Sequence, residues 1–149
     1  MGFLIDTSVW IDVERGRLTA AEVATVTGSE LIFLSPVTVA ELEFGVQRAA
    51  EPELRQKRMA ALRELQKRPV LSIDDRTGEV FGQLAAKLAL SGRGHDFRIQ
   101  DLWLASQAIQ HGFSFLTLNP KDFEDIPGLD LVVYQRPGAP EPPHSPLAR

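Results

Sequence analysis

The chain of 149 residues has no cysteine. This excludes a disulfide framework, a thiolate metal site and a cysteine nucleophile, and it suits a reducing cytoplasm. No apolar run approaches the roughly 18–20 residues that cross a bilayer. The opening MGFLID lacks the basic region and long apolar stretch of a signal peptide. Asp6 also breaks the myristoylation pattern, so a cytoplasmic protein without membrane attachment is expected. No GxGxxG follows the first apolar run, which disfavours a dinucleotide-binding oxidoreductase. Basic residues are the minority, 16 against 20 acidic, for a net charge of −4. A protein that coats nucleic acid by bulk electrostatics is usually basic, so the charge argues against that role. It does not argue against an enzyme that meets phosphate through metal ions.

What remains is the balance of an ordinary globular domain, with 44% hydrophobic and 24% charged residues. The length suits one domain, placed at residues 1–135. The final stretch, RPGAPEPPHSPLAR (136–149), has five prolines and reads as an extended or disordered tail. Short apolar runs at 3–5, 31–34, 70–73, 113–118 and 131–134 predict five buried strands. Between them, helical patterns are expected at about 7–15, 19–27, 36–50, 52–68, 75–90 and 98–111. Gly16, Gly28 and Gly112 stand as stops, and Ser35-Pro36 as a helix start. Strands alternating with helices predict an α/β fold with a mainly parallel sheet. Sites in such sheets form at the carboxyl ends of strands.

That rule singles out four polar positions. Asp6 ends the first apolar run, Glu41 lies seven residues after Leu34, Asp101 opens the helix after the Gly-rich break, and Asn119 follows the run ending at Leu118. If adjacent parallel strands bring them together, their mutual repulsion requires a cation. Oxygen ligation without Cys or His suits a hard ion such as Mg²⁺ or Mn²⁺, and such a site favours phosphodiester hydrolysis. Each residue also has a purely structural use. Asp6 fits a helix cap, Glu41 stands at capping-box spacing from Thr38, Asp101 suits a helix N-terminus, and Asn119-Pro120 makes a turn.

Four stretches in this order carry a resemblance: FLIDTSVWID (3–12), LSPVTVAELEFG (34–45), RIQDLWLASQA (98–108) and FLTLNPKDFEDIPGLDLV (115–132). Together they resemble the PIN-domain family, and within it the VapC-type toxin ribonucleases of toxin–antitoxin pairs. The likeness runs from Phe3 to about Tyr134. It implies an α/β/α sandwich with a five-stranded parallel sheet. It also implies a Mg²⁺- or Mn²⁺-dependent endoribonuclease that hydrolyses RNA by a metal-activated water, leaving 5′-phosphate and 3′-hydroxyl ends. The family's acids fall on Asp6, Glu41 and Asp101, which would hold the metal, with Asp6 and Asp101 gripping it most directly. The fourth catalytic position, often Asp, is Asn119, with Asp122-Phe123 nearby. Thr7, Ser8, Thr117 and Asp122 would orient the carboxylates. The implied partners are an antitoxin that fills the acidic groove, an RNA substrate, operator DNA reached only through the antitoxin, and a second copy in a homodimer.

Residues 48–68 hold seven Lys/Arg against three Glu. Arg55, Arg58 and Arg63 are expected either to track an RNA backbone or to form a solvated face. Trp10 and Trp103 read as core or interface residues. His95, His111 and His144 are not at ligand spacing with one another, and Asp96 reads as a cap for the helix near 98. Two other functions compete. One is a PIN fold that only binds, for which Asn119 speaks. The other is a phospho-acceptor receiver domain using Asp74 or Asp75. That would need an acidic pair after the first strand and a Lys after the last, where this chain has DTS (6–8) and Gln135-Arg136.

Overall fold

The computed structural model describes residues 1–93 and 98–136. His95, Asp96, His144 and all of the tail beyond Arg136 lie outside the described residues. The elements run β1 (Gly2–Ile5), α1 (Thr7–Glu14), α2 (Ala20–Thr27), β2 (Leu31–Phe33), α3 (Pro36–Arg48), α4 (Pro52–Leu65), α5 (Asp75–Leu90), α6 (Ile99–His111), β3 (Ser114–Thr117), a 3₁₀ turn (Pro120–Asp122) and β4 (Asp130–Val133).

The four strands pair in the order β2-β1-β3-β4, all parallel. Strand periodicity sorts β1 into two faces. Leu4 points with Leu84, Leu88, Leu102, Phe115 and Phe123 into a core covered by α5 and α6. Phe3 and Ile5 point the other way, against Val9, Trp10, Val23 and Leu116 beneath α1 and α2. The sheet is therefore buried on both sides, which is why its strands read as unbroken apolar runs. Short connections then place Asp6, the residue after β1, beside the end of β3. The Asp6 N–H donates to the Leu116 carbonyl at 2.9 Å.

The expected strand at 70–73 is a correction. It contracts to a single bridge between Leu34 and Val70, with Leu34 N–H donating to the Pro69 carbonyl and Leu71 N–H to the Leu34 carbonyl. Three causes act together. Pro69 has no N–H to give a ladder. The partner backbone leaves the sheet at Ser35 to start α3, capped by Ser35 Oγ accepting from Val37 N–H at 3.1 Å. The Leu71 carbonyl accepts from Gln107 Nε2 at 2.8 Å, so a side chain takes the place of the next rung. Gln107 is fully buried and its Oε1 accepts from the Ser35 hydroxyl. This polar pair ties α6 to the start of α3.

Helix boundaries otherwise follow the local chemistry. Thr19 and Glu22 form a reciprocal capping box on α2. Asp74 caps α5 by accepting from Thr77 N–H at 3.0 Å, so one of the two carboxylates a receiver domain would phosphorylate is engaged in a helix cap; the other, Asp75, is exposed in the first turn. Gly112, at φ +67°, turns the chain out of α6 toward β3, a conformation that a side chain would strain. Trp10 is buried with the Arg68 guanidinium 5.3 Å from its ring, and Trp103 stacks on Phe81 at 4.3 Å. Both tryptophans are packing residues. Among the described residues no helix is long and apolar enough to cross a membrane.

Candidate active site

Asp6 sits at the N-cap position of α1 but makes no side-chain cap bond. Its Oδ2 instead accepts from Ser8 Oγ and from Thr117 Oγ1, both at 2.8 Å. Thr117, the last residue of β3, also accepts from the Asn119 N–H at 2.9 Å. One fully buried hydroxyl thus joins the ends of β1 and β3 and fixes both the carboxylate and the turn that carries Asn119. Helix α3 brings Glu41 in from the other side, in its second turn. Thr7 Oγ1 donates to Glu41 Oε1 at 3.3 Å and lies 2.9 Å from Thr38 Oγ1. The capping-box reading of Thr38 and Glu41 therefore does not hold: Ser35 is the cap, and Thr38 joins a buried hydroxyl relay beneath Glu41.

Asp101 lies in the first turn of α6. The start of that helix is anchored by Arg98, which is buried. Its guanidinium donates to both oxygens of Asp125, at 2.8 and 2.9 Å, and to the Asp122 carbonyl at 2.6 Å. Sequence reasoning missed this pair. The only hint was a charged residue directly before an apolar helix, with an acid in the DFEDIPG segment to meet it.

The electrostatics show that the acids share one neighbourhood. Burial pushes the Asp101 carboxyl up from 3.8 to about 6, reinforced by the charges of Asp6, Asp122 and Glu41, while Arg98 opposes the rise. Asp6 is also raised, chiefly by burial, against the lowering effect of its hydroxyl donors, and Asp122 adds to the rise. Glu41 is raised by burial and by Asp6, with Thr7 opposing. Strand topology has thus gathered carboxylates that resist being charged together. Such groups are typical of functional sites.

Among the described residues no three His, Cys, Asp or Glu side chains form a ready cage for an ion. The donor set nonetheless fits a hard cation. It offers only oxygen, its negative charge is only partly offset by Arg98, and Mg²⁺ commonly binds through one or two carboxylates while retaining several waters. Asn119 is exposed on the turn after β3, and Asp122 is exposed at the end of the 3₁₀ turn.

The basic segment is placed differently. Arg55 donates to the Ala49 carbonyl at 3.1 Å and Arg58 to the Gly45 carbonyl at 2.8 Å, so both staple α4 to the end of α3. Arg58 lines a cavity that Glu41 and Trp10 also line. Arg63 is exposed, 3.7 Å from the Met59 sulfur. His111 stacks on Phe113 at the end of α6.

An α/β/α layering carries Asp6 at the end of a central strand, with Glu41 and Asp101 close enough to raise one another's carboxyl pKa. The chain belongs to the PIN domain family, whose sequence pattern matches residues 3–129. It is 33% identical to Ribonuclease VapC5 of Mycobacterium tuberculosis over 87% of this chain and 90% of that one. Among solved structures, it resembles the VapBC-5 member of the VapBC toxin–antitoxin systems from M. tuberculosis, with a TM-score of 0.71 and 29% identity over 91% of this chain and 98% of that one. VapBC2 from Rickettsia felis, solved bound to a DNA fragment from its promoter, shares the fold with a TM-score of 0.78 at 21% identity, over 91% and 100% of the two chains.

Proposed function

We propose that this chain is the toxin of a type II toxin–antitoxin pair and acts as a divalent-metal-dependent endoribonuclease. The observation that carries this reading is the joining of Asp6, Glu41 and Asp101 into one mutually repelling acidic site, in a chain related to VapC ribonucleases along nearly its whole length. A bound Mg²⁺ or Mn²⁺ would supply positive charge to the scissile phosphate and a more acidic water. Asp6 and Asp101 would hold the ion most directly, with Glu41 acting directly or through water. Ser8 and Thr117 keep the Asp6 carboxylate in one orientation, and Thr7 does the same for Glu41. Asn119 presents an uncharged carboxamide toward the substrate. Arg55, Arg58 and Arg63 are assigned to the RNA backbone, of which Arg58 shares a cavity wall with Glu41.

The partners follow from the same reading. An antitoxin covers the acidic groove and carries the contact with operator DNA, and a second copy of the chain completes a homodimer. The relatives named as ribonucleases favour this reading over a PIN fold that only binds.

The test is cleavage of total RNA by the purified chain, with mapping of the new ends. Cuts bearing 5′-phosphates that need Mg²⁺ or Mn²⁺, stop in chelator and vanish in Asp6→Asn are expected. Equal cleavage by Asp6→Asn would overturn the proposal.

A further inference from the structure

A cavity of about 410 Å³ opens at the carboxyl ends of β3 and β4, one residue contact from Asp6 through Ser8. Its near wall is Ser8, whose hydroxyl holds Asp6, and Asn119, whose N–H holds Thr117. Leu118 and Val133 supply aliphatic surface, and Gln135, Arg136 and the Asp12 carboxylate that pairs with Arg136 also line it. Arg136 is tied across the opening to the buried Asp12 of α1. That bond engages one of the five N–H donors of the guanidinium. Asp12 meets a second guanidinium, Arg17, at 3.7 Å. Glu22 lies near Arg136 and accepts from Tyr134 Oη at 3.0 Å, so this corner is close to neutral while the neighbouring site is acidic.

The volume is that of a small-molecule site, and the lining has a particular chemistry. Aliphatic side chains such as Leu118 and Val133 accept the face of an unstacked base. Two carboxamides, Asn119 and Gln135, each offer a donor and an acceptor to a base edge. A guanidinium serves for stacking or for phosphate. Single-stranded RNA is recognised in this way, through splayed bases read on their edges. A strand whose scissile phosphate lies at Asp6, Glu41 and Asp101 must also place a neighbouring nucleotide on some flank of those acids.

We infer that this cavity receives the base of the nucleotide next to the cut, and that Gln135 and Arg136 are the residues that set which base is preferred. The inference rests on the reading of the chain as a ribonuclease and adds a specificity site to it. Both side chains are exposed; Gln135→Ala leaves the pair between Arg136 and the buried Asp12 in place and is the decisive variant, whereas Arg136→Ala removes that pair, so thermal melting of both variants accompanies the assay. The experiment has two arms. In the first, the wild-type chain, Gln135→Ala and Arg136→Ala cut a randomised single-stranded RNA with Mg²⁺, and the ends are sequenced. The variants should still cut, with base preference at one flanking position flattened by about tenfold, the scale of one base-edge contact, and unchanged elsewhere. In the second, short RNA oligonucleotides differing only at that position are bound by Asp101→Asn alone and by Asp101→Asn with Gln135→Ala, followed by fluorescence anisotropy. The added change should equalise the four affinities. Cutting by the wild type with the same preference in both variants would overturn the inference and leave the ribonuclease reading standing. Absence of cutting by the wild type would overturn that reading, and the inference falls with it.

Discussion

Thr117 is the residue on which the geometry turns. Its hydroxyl is fully buried, donates to Asp6 and accepts from Asn119 N–H, so it fixes two parts of the site at once. Thr117→Val keeps the volume and removes both bonds. Cleavage should fall by roughly 10–100-fold, the usual cost of losing a partner that orients a ligand, while circular dichroism stays unchanged; undiminished cleavage would deny Thr117 this role. The acids themselves tie stability to pH. The Asp101 carboxyl rises from 3.8 to about 6 on folding. Between those values the folded chain binds more protons than the unfolded chain, so this group's contribution to stability declines as pH rises through that window. In chelator, Asp101→Asn should therefore melt at a higher temperature than the wild type at pH 7 and show no such advantage at pH 4. A variant no more stable than wild type at pH 7 would contradict the crowding of the acids. The acids stood out in the sequence because Asp6 directly follows a strand, Asp101 lies in the first turn of a helix and Glu41 in the second turn of another. Their hydroxyl partners were only half legible. Thr7 and Ser8 read equally well as caps, and nothing in the sequence pairs Thr38 with Thr7 across 31 positions.

Among the elements, α6 carries Asp101 and depends on an anchor that pattern reading did not find. Arg98 is buried against Asp125, and a buried charge deprived of its partner is costly. Arg98→Ala should destabilise the fold by about 3–5 kcal/mol, read from urea unfolding. A loss below about 1 kcal/mol, the scale of an exposed pair, would show that the pair contributes as a surface contact does. Helices were read within a few residues because their starts and stops are chemical: Ser35-Pro36, Asp74 with Thr77, and Gly112 all act locally. The strand predicted at 70–73 failed because an apolar run states only that a segment is buried. Whether it becomes a ladder depends on the neighbouring backbone, which turns away at Ser35, and on Gln107, distant in sequence, which takes the Leu71 carbonyl. Likewise, the basic pattern of α4 correctly marks a charged face. It does not reveal that Arg55 and Arg58 are engaged with carbonyls of the preceding segment.

For the whole molecule, the parallel order β2-β1-β3-β4 has one consequence that outweighs the others. It sets the ends of the central strands β1 and β3 side by side, so that Asp6 and Thr117, 111 residues apart, share a hydrogen bond. Helices α3 and α6 then deliver Glu41 and Asp101 to the same place. In the proposed function, a cation is what brings an anionic polymer to these carboxylates on a molecule with a net charge of −4. The most direct measurement is a calorimetric titration of Mn²⁺ into the wild-type chain and into Asp6→Asn, Glu41→Gln and Asp101→Asn. The account predicts saturable binding to the wild type, weakened at least about tenfold by the loss of Asp6 or Asp101, with a smaller effect for Glu41. Equal Mn²⁺ affinity in all four proteins would contradict it.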